Sequence, residues 1–293
     1  MSGPILITGG AGSVGRLLVA RCRADHHTVR VFDLPGCDFT GLEGKAGIEI
    51  IKGDITDPGT VATAVQGTSA ILHLAALLPP LSEANRERTF RINVEGTAHI
   101  VQAMQRAMPQ AVLVFSSSVS TYGDTTADTP PVAVDHPQTD LDIYAASKIA
   151  AEHLIRNAPI PAVILRIAGI SVPELQEPPQ VWPFTADQRL EMVHRDDVVT
   201  ALYQALITPA VRGKTLNIAG GTTWQTTGRQ YVEDLYDLLG VPIELAAFRG
   251  QDEPGWVDWY DTELSEQLLH YQQHPYATYL ETIRQQVEQL MAE

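Results

Sequence analysis

Two apolar periods alternate along the first 165 residues. Short apolar runs recur at Pro4-Ile5-Leu6-Ile7, Val29-Arg30-Val31-Phe32-Asp33, Ile48-Glu49-Ile50-Ile51, Ala70-Ile71-Leu72-His73-Leu74-Ala75-Ala76, Ala111-Val112-Leu113-Val114-Phe115 and Ala162-Val163-Ile164-Leu165-Arg166, and each reads as a buried strand. Helical patterns lie between them. Leu17, Leu18, Ala20 and Cys22 share one side, with Arg16, Arg21 and Arg23 around them. Asp57 followed by Pro58 reads as an N-cap and first helical residue. A long helix is expected from about Glu83 to Met108, with Ile92, Val94, Ile100, Val101 and Met104 inward and Asn93 among them. Another is expected from Ile143 to about Asn157. This alternation predicts an α/β fold, a doubly wound parallel sheet. Later helices are expected over about 198–207, 230–239, 262–269 and 276–291. Short strands are expected at Thr215-Leu216-Asn217-Ile218 and Ile243-Glu244-Leu245, and loops over 122–141 and 170–189.

The chain has 293 residues, 44% of them apolar, enough for one large α/β unit and a smaller lobe. Its formal charge is -15. So acidic a surface repels phosphate backbones, and no nucleic-acid partner is expected. No apolar run approaches the roughly 18 residues of a membrane span. The first residues lack the basic and apolar regions of a signal peptide. The expectation is a cytoplasmic protein with no membrane partner. Cys22 and Cys37 are too few for a disulfide framework, and no Cys/His cluster has zinc spacing, so no metal is expected. His270 and His274 are four apart with Pro275 following, and they read as a surface pair.

Candidate chemistry begins at Thr8-Gly9-Gly10-Ala11-Gly12-Ser13-Val14-Gly15, a strand-to-helix turn. Glycine lets another backbone or a ligand come close. A helix N-terminus offers free N–H groups and a positive dipole end, which suits a pyrophosphate. A plain tight βα turn uses the same residues, so the motif alone leaves both readings open. Asp33 falls 18 residues after Gly15, close to the offset of about 20 at which an acid binds the adenine-side ribose. A carboxylate there favours NAD and repels the 2′-phosphate of NADP. A strand-end Asp capping its own loop is the other reading.

Tyr144-Ala145-Ala146-Ser147-Lys148 sets a phenol and an ammonium one helical turn apart on one face. A free phenol has a pKa near 10, so work as a base near pH 7 needs a shift of about 3 units, roughly 4 kcal/mol. One Lys charge about 4 Å away, at an effective dielectric of about 20, supplies roughly that amount. An oxidised nicotinamide adds a second positive charge. Ser118, in the stretch that ends the fifth strand, can hydrogen-bond the substrate oxygen. A surface Tyr and Lys is the plain alternative. Against it stands the order of glycine turn, acid-ended strand, Ser-ended strand and Tyr-x3-Lys helix.

Taken together, these motifs resemble the extended short-chain dehydrogenases/reductases, the NAD-dependent epimerase/dehydratase family. Thr8 to Gly15 is similar to its TGxxGxxG turn. Gly53-Asp54-Ile55-Thr56-Asp57, His73-Leu74-Ala75-Ala76, Asn93-Val94-Glu95-Gly96-Thr97, Ser116-Ser117-Ser118 with Tyr122-Gly123, and Tyr144-x3-Lys148 follow in order. The resemblance implies a Rossmann-like NAD-binding domain over 1–167, completed by about 196–220. It implies a small, mostly helical substrate lobe over 168–195 and 221–293. By the same resemblance Gly9, Gly12, Ser13, Val14 and Gly15 take the pyrophosphate and Asp33 the adenosine ribose. Asp54 and Ile55 contact adenine, and Leu74, Ala75 and Ala76 line the cofactor's middle. Tyr144 is the acid/base, Lys148 also binds the nicotinamide ribose, Ser118 orients the substrate and Asn93 props the site. A homodimer through helices over 95–108 and 144–157 is the family's common assembly.

Two departures bear on the substrate. Val119-Ser120 stand where the family's 4,6-dehydratases carry an Asp-Glu pair, so sugar dehydration lacks its acid and base. The stretch between Arg166 and Asp196 is short, and Arg189 is one of few cations there that could meet a diphosphate. The expectation is an NAD-dependent enzyme acting on a secondary alcohol of a sugar or sugar-like substrate, with a sugar (nucleotide) epimerase ahead. The alternative is a dehydrogenase of a small polyol, sugar acid or hydroxy acid. A non-catalytic dinucleotide sensor is the remote rival. Trp182, Trp256 and Trp259 fit either a substrate pocket or aromatic core packing.

Overall fold

The computed structural model describes residues 3–250, 253 and 255–292. Its first half alternates β1 (Ile5–Thr8), α1 (Ser13–Ala24), β2 (Val29–Asp33), β3 (Ile48–Lys52), α2 (Pro58–Val65) and β4 (Ala70–His73). Then come α3 (Arg86–Phe90), α4 (Gly96–Ala107), β5 (Val112–Ser118), α5 (Ile143–Arg156) and β6 (Ala162–Ile167). The second half runs β7 (Gly169–Ser171), β8 (Arg189–His194), α6 (Arg195–Ile207), β9 (Thr215–Ile218), β10 (Gln225–Thr227), α7 (Gly228–Leu239), α8 (Glu263–Leu269) and α9 (Tyr276–Ala292).

The chain divides into two compact units. One comprises 1–118, 142–166 and 199–216, the other 119–141, 167–198 and 217–293. In the first, a seven-stranded sheet has the order β3-β2-β1-β4-β5-β6-β9. The pairs joining β3, β2, β1, β4 and β5 are parallel. The order reverses between β1 and β4, and ligands bind at the carboxyl ends of strands beside such a switch point. Leu6, Phe32, Ile71, Ile100, Met104, Leu113 and Phe115 bury the sheet against its helices. Asp57 caps α2 as expected, accepting from the N–H groups of Gly59 and Thr60 at 3.1 and 3.3 Å. In the second unit β8 pairs antiparallel with β10 and parallel with β7. Phe184, Trp224, Tyr231, Tyr279 and Ile283 form its core, with Trp182 and Trp256 packed against it.

Three local expectations change. The helix expected over 83–108 is interrupted: a 3-10 turn covers Leu81–Ala84 and a π turn covers Arg91–Glu95 between α3 and α4. The wider turn rotates the face, so polar Asn93 is buried while Ile92 and Val94 are only half-buried. Ile243–Leu245 is a 3-10 turn instead of a strand, and Leu245 is exposed. His274 does not pair with His270. It stacks on His194 at 4.2 Å between ring centroids and bonds to Asp197 at 2.6 Å. The two rings lie within 12° of parallel, so their in-plane lone pairs do not converge on one ion at about 2 Å, although Asp196 lies near both.

A buried charge cluster ties α5 to the sheet. Glu152 is fully buried and accepts from Ser117 Oγ at 2.5 Å and from Arg166 Nε and Nη2 at 3.0 and 2.8 Å. Burial disfavours its carboxylate, but Arg166, Ser117 and Arg156 outweigh burial and hold its pKa below the ordinary value. A carboxylate depressed in this way adds stability that is complete above the unfolded pKa near 4.3 and is lost as pH falls through the folded value. Glu152→Gln leaves Arg166 uncompensated. We expect a loss of about 3 kcal/mol at pH 7, a fall in Tm of roughly 6–12 °C, and a gap between variant and wild type that narrows below pH 4. Thermal melts across pH check this; equal melts at pH 7 contradict it.

Candidate active site

The site is built from the switch point outward. The turn after β1 places Gly9 at φ +70°, where a Cβ would come within 3.0 Å of Ala75 N. A Cβ on Gly15 would lie 2.3 Å from Gly9 O and 2.7 Å from Gly10 Cα, so this glycine lets α1 close onto the turn. The α1 N-terminus carries no side-chain cap, which leaves N–H groups of its first turn available to an anion. A cavity of about 560 Å³ opens there. It brings together the expected residues Gly9, Gly12, Asp33, Asp54, Ile55, Leu74, Ala75 and Ala76. Ser13, Val14 and Gly15 are not on its wall; they form the first turn of α1. Asp33 accepts from Ala11 N at 3.0 Å, Leu34 N at 2.9 Å and Cys37 Sγ at 3.2 Å. Its carboxylate is thereby fixed in the cavity wall. The close-approach glycines, the uncapped helix end and this carboxylate fit a dinucleotide.

A directed hydrogen-bond chain runs from this cavity to α5. Ala75 N donates to Thr8 Oγ1 at 3.2 Å, and Thr8 Oγ1 meets His73 Nδ1 at 2.7 Å. His73 Nε2 meets Thr97 Oγ1 at 3.0 Å, which donates to Asn93 O at 2.6 Å. Burial, with the Lys148 charge, pushes His73 down to about 3, so the ring is a neutral relay. The Asn93 side chain accepts from Leu77 N at 2.7 Å and donates to Leu77 O at 3.1 Å and to Ser147 Oγ at 2.9 Å. Ser147 Oγ in turn donates to Tyr144 O at 2.7 Å.

Tyr144 is the second residue of α5. The Asp142 side chain caps this helix through Ala145 N at 2.6 Å. Glu83 accepts from Ile143 N and Tyr144 N at 2.8 and 3.1 Å. Burial, then the Asp142 charge, hold the Tyr144 phenol above its ordinary value. Lys148 is buried and donates from Nζ to Ser116 O at 2.8 Å. Its Nζ lies 5.7 Å from the Tyr144 ring centroid and 4.8 Å from that of Phe115. Burial pushes the ammonium down to about 8, against the opposing Glu152 charge. Lys148 alone therefore does not supply the depression of the phenol expected from a charge about 4 Å away. Ser118 is buried where β5 ends. Tyr144, Lys148, Ser118 and Asn93 do not line the cavity.

Sequence reasoning missed Glu83, Ser147, Thr8 and Thr97 as supports, and Arg88 and Arg91 on the cavity wall. Ser147 was legible as the residue inside Tyr-x3-Lys that shares the buried face. The others become neighbours only through the fold. In the second unit Arg189 binds Asp258 through Nε at 2.5 Å and Nη2 at 2.9 Å. Its Nη2 also reaches the carbonyls of Thr125, Thr126 and Asp128. Trp182 lines a separate cavity of about 400 Å³ within that unit, besides packing on its core.

The model of the NAD dependent epimerase/dehydratase family matches residues 5–178. The chain belongs to this family. Among curated relatives, 3 beta-hydroxysteroid dehydrogenase/Delta 5-->4-isomerase of Mycobacterium tuberculosis is 33% identical over 159 residues, covering 52% of this chain and 42% of that protein. UDP-glucose 4-epimerase of Streptomyces lividans is 32% identical over 178 residues, covering 59% and 52%. The matched segments thus span about half the length of these relatives. A solved short-chain dehydrogenase/reductase superfamily protein from Agrobacterium tumefaciens, with bound NAD, superposes with TM-score 0.82 at 25% identity over 98% of both chains.

The buried lysine yields a test of its own. An ammonium whose folded pKa lies below its unfolded value near 10.4 opposes folding fully below the folded value, and the opposition fades as pH rises toward 10.4. Lys148→Met removes that opposition and leaves Ser116 O without its donor. We expect a net gain of about 1–2 kcal/mol at pH 7 that shrinks above pH 8. Melts of the cofactor-free protein check this, and a lower Tm at pH 7 contradicts it.

Proposed function

We propose that the protein is an NAD-dependent enzyme that oxidises a secondary alcohol, with Tyr144 as the acid/base. The observation that carries this reading is the chain of hydrogen bonds that joins the Tyr144 backbone to the wall of a dinucleotide-sized cavity through one buried residue, Asn93. In this reading Gly9 and Gly12, with the first turn of α1, receive the pyrophosphate. Asp33 accepts the adenosine ribose hydroxyls, Asp54 and Ile55 meet adenine, and Leu74, Ala75 and Ala76 flank the middle. When bound, NAD supplies the hydride acceptor and a positive charge. Tyr144 Oη takes the hydroxyl proton as the C–H hydride leaves the same carbon. Ser118 hydrogen-bonds the substrate oxygen. Lys148 stabilises the tyrosinate and holds the nicotinamide ribose. Asn93 is a positioning residue.

Two outcomes share this step. The family supports an epimerase, in which hydride returns to the other face of the carbon. A dehydrogenase, which releases the ketone, is favoured by Arg189: its guanidinium is occupied by Asp258 and three carbonyls. That leaves this cation committed within its own unit and favours a small polyol, sugar acid or hydroxy acid over a diphosphate-linked sugar. Among the described residues no helix is long and apolar enough to cross a membrane. The same reading includes a cytoplasmic location and a homodimer through α4 and α5, checked by the mass in solution.

Tyr144→Phe is expected to lower turnover by about 10²–10⁴-fold while NAD binding persists; retained turnover overturns the assignment. Asp33→Ala is expected to erase the preference for NAD over NADP. An unchanged preference means the carboxylate only caps its own loop.

A further inference from the structure

We propose that Arg88 and Arg91 bind the phosphates of the dinucleotide, an inference that rests on the NAD reading above. Arg88 belongs to α3, and Arg91 opens the π turn that follows. They are three residues apart, which puts both on one helical face, and both line the 560 Å³ cavity with Gly9 and Gly12. Among the described residues neither guanidinium has an ion pair or a side-chain hydrogen bond. Neighbouring arginines are engaged. Arg86 stacks on Phe90 at 4.2 Å. Arg16 donates to the carbonyls of Ala11, Thr40 and Asp38.

In a chain of net charge -15 these two guanidiniums share one cavity with Asp33, Asp38 and Asp54. These acids have partners other than the two arginines, Asp38 the guanidinium of Arg16 among them. Asp33 accepts from Ala11 N and Leu34 N, Asp38 from Thr40 N, and Asp54 from Thr56 N and Oγ1. The cavity thus keeps its carboxylates and its guanidiniums apart. A dinucleotide brings negative phosphates into this acid-lined space. The glycine turn offers N–H groups but no formal charge, and two guanidiniums supply it with donors that match phosphate oxygens.

The test measures binding of NAD, ADP and adenosine to the whole protein, wild type against Arg88→Gln, Arg91→Gln and the pair, by calorimetry and ligand-observed NMR. Arg86→Gln is the control on the same helix. We expect each cavity variant to weaken NAD and ADP roughly tenfold, to flatten their salt dependence, and to leave adenosine unchanged. NAD affinity unchanged in the double variant overturns the proposal, and so does an equal loss for adenosine. If wild type binds no NAD, the functional reading fails instead. Both exposed positions tolerate substitution, and unchanged melts verify that the variants are folded.

Discussion

The buried amide of Asn93 is the joint on which the site depends. Its oxygen and nitrogen satisfy both backbone groups of Leu77, and its remaining donor reaches Ser147. Three segments distant in sequence meet on one side chain: the loop after β4, the π turn, and the helix that carries Tyr144. A polar group buried at 2% exposure is tolerated only when it is satisfied. The same requirement that stabilises the fold therefore sets the register of α5 against the cavity wall. The π turn is the local cost of aiming a polar side chain inward from an otherwise amphipathic helix.

Around that joint the chemistry is one of poise. Burial raises the Tyr144 phenol and lowers the Lys148 ammonium, so each is displaced toward its neutral form. The Asp142 carboxylate at the start of α5 reinforces the neutral phenol by opposing its ionisation. A phenol held this way is quiescent until positive charge is added beside it.

Much of this was legible in the sequence because it rests on period and on residue type. The alternation through β6 gave the sheet, and the glycine turn, Asp33 and Tyr144-x3-Lys148 fall where the chain order required. The cavity gathers Gly9, Asp33, Asp54 and Ala75 from four strand ends. Other features depended on neighbours that no window of sequence contains. The strand β8 escaped notice because buried Glu191 interrupts its apolar pattern. Glu191 is satisfied by Gly221 N, Gln225 Nε2 and Tyr260 N, which come from elsewhere in the chain. The π turn, the stacking of His194 on His274 and the commitment of Arg189 to Asp258 likewise arise from long-range partners. At Gly15 the structure adds a packing reason for the glycine, because a Cβ there would meet Gly9 and Gly10.

The central claim is that Tyr144 is a base only in the loaded site. The direct measurement is an ultraviolet difference titration of the Tyr144 phenol, wild type minus Tyr144→Phe, without and with saturating NAD. The account predicts a phenol that stays neutral beyond pH 10 in the empty protein and ionises several units lower when NAD is bound. A tyrosinate already present near pH 7 without NAD, or a titration that NAD leaves unmoved, contradicts it.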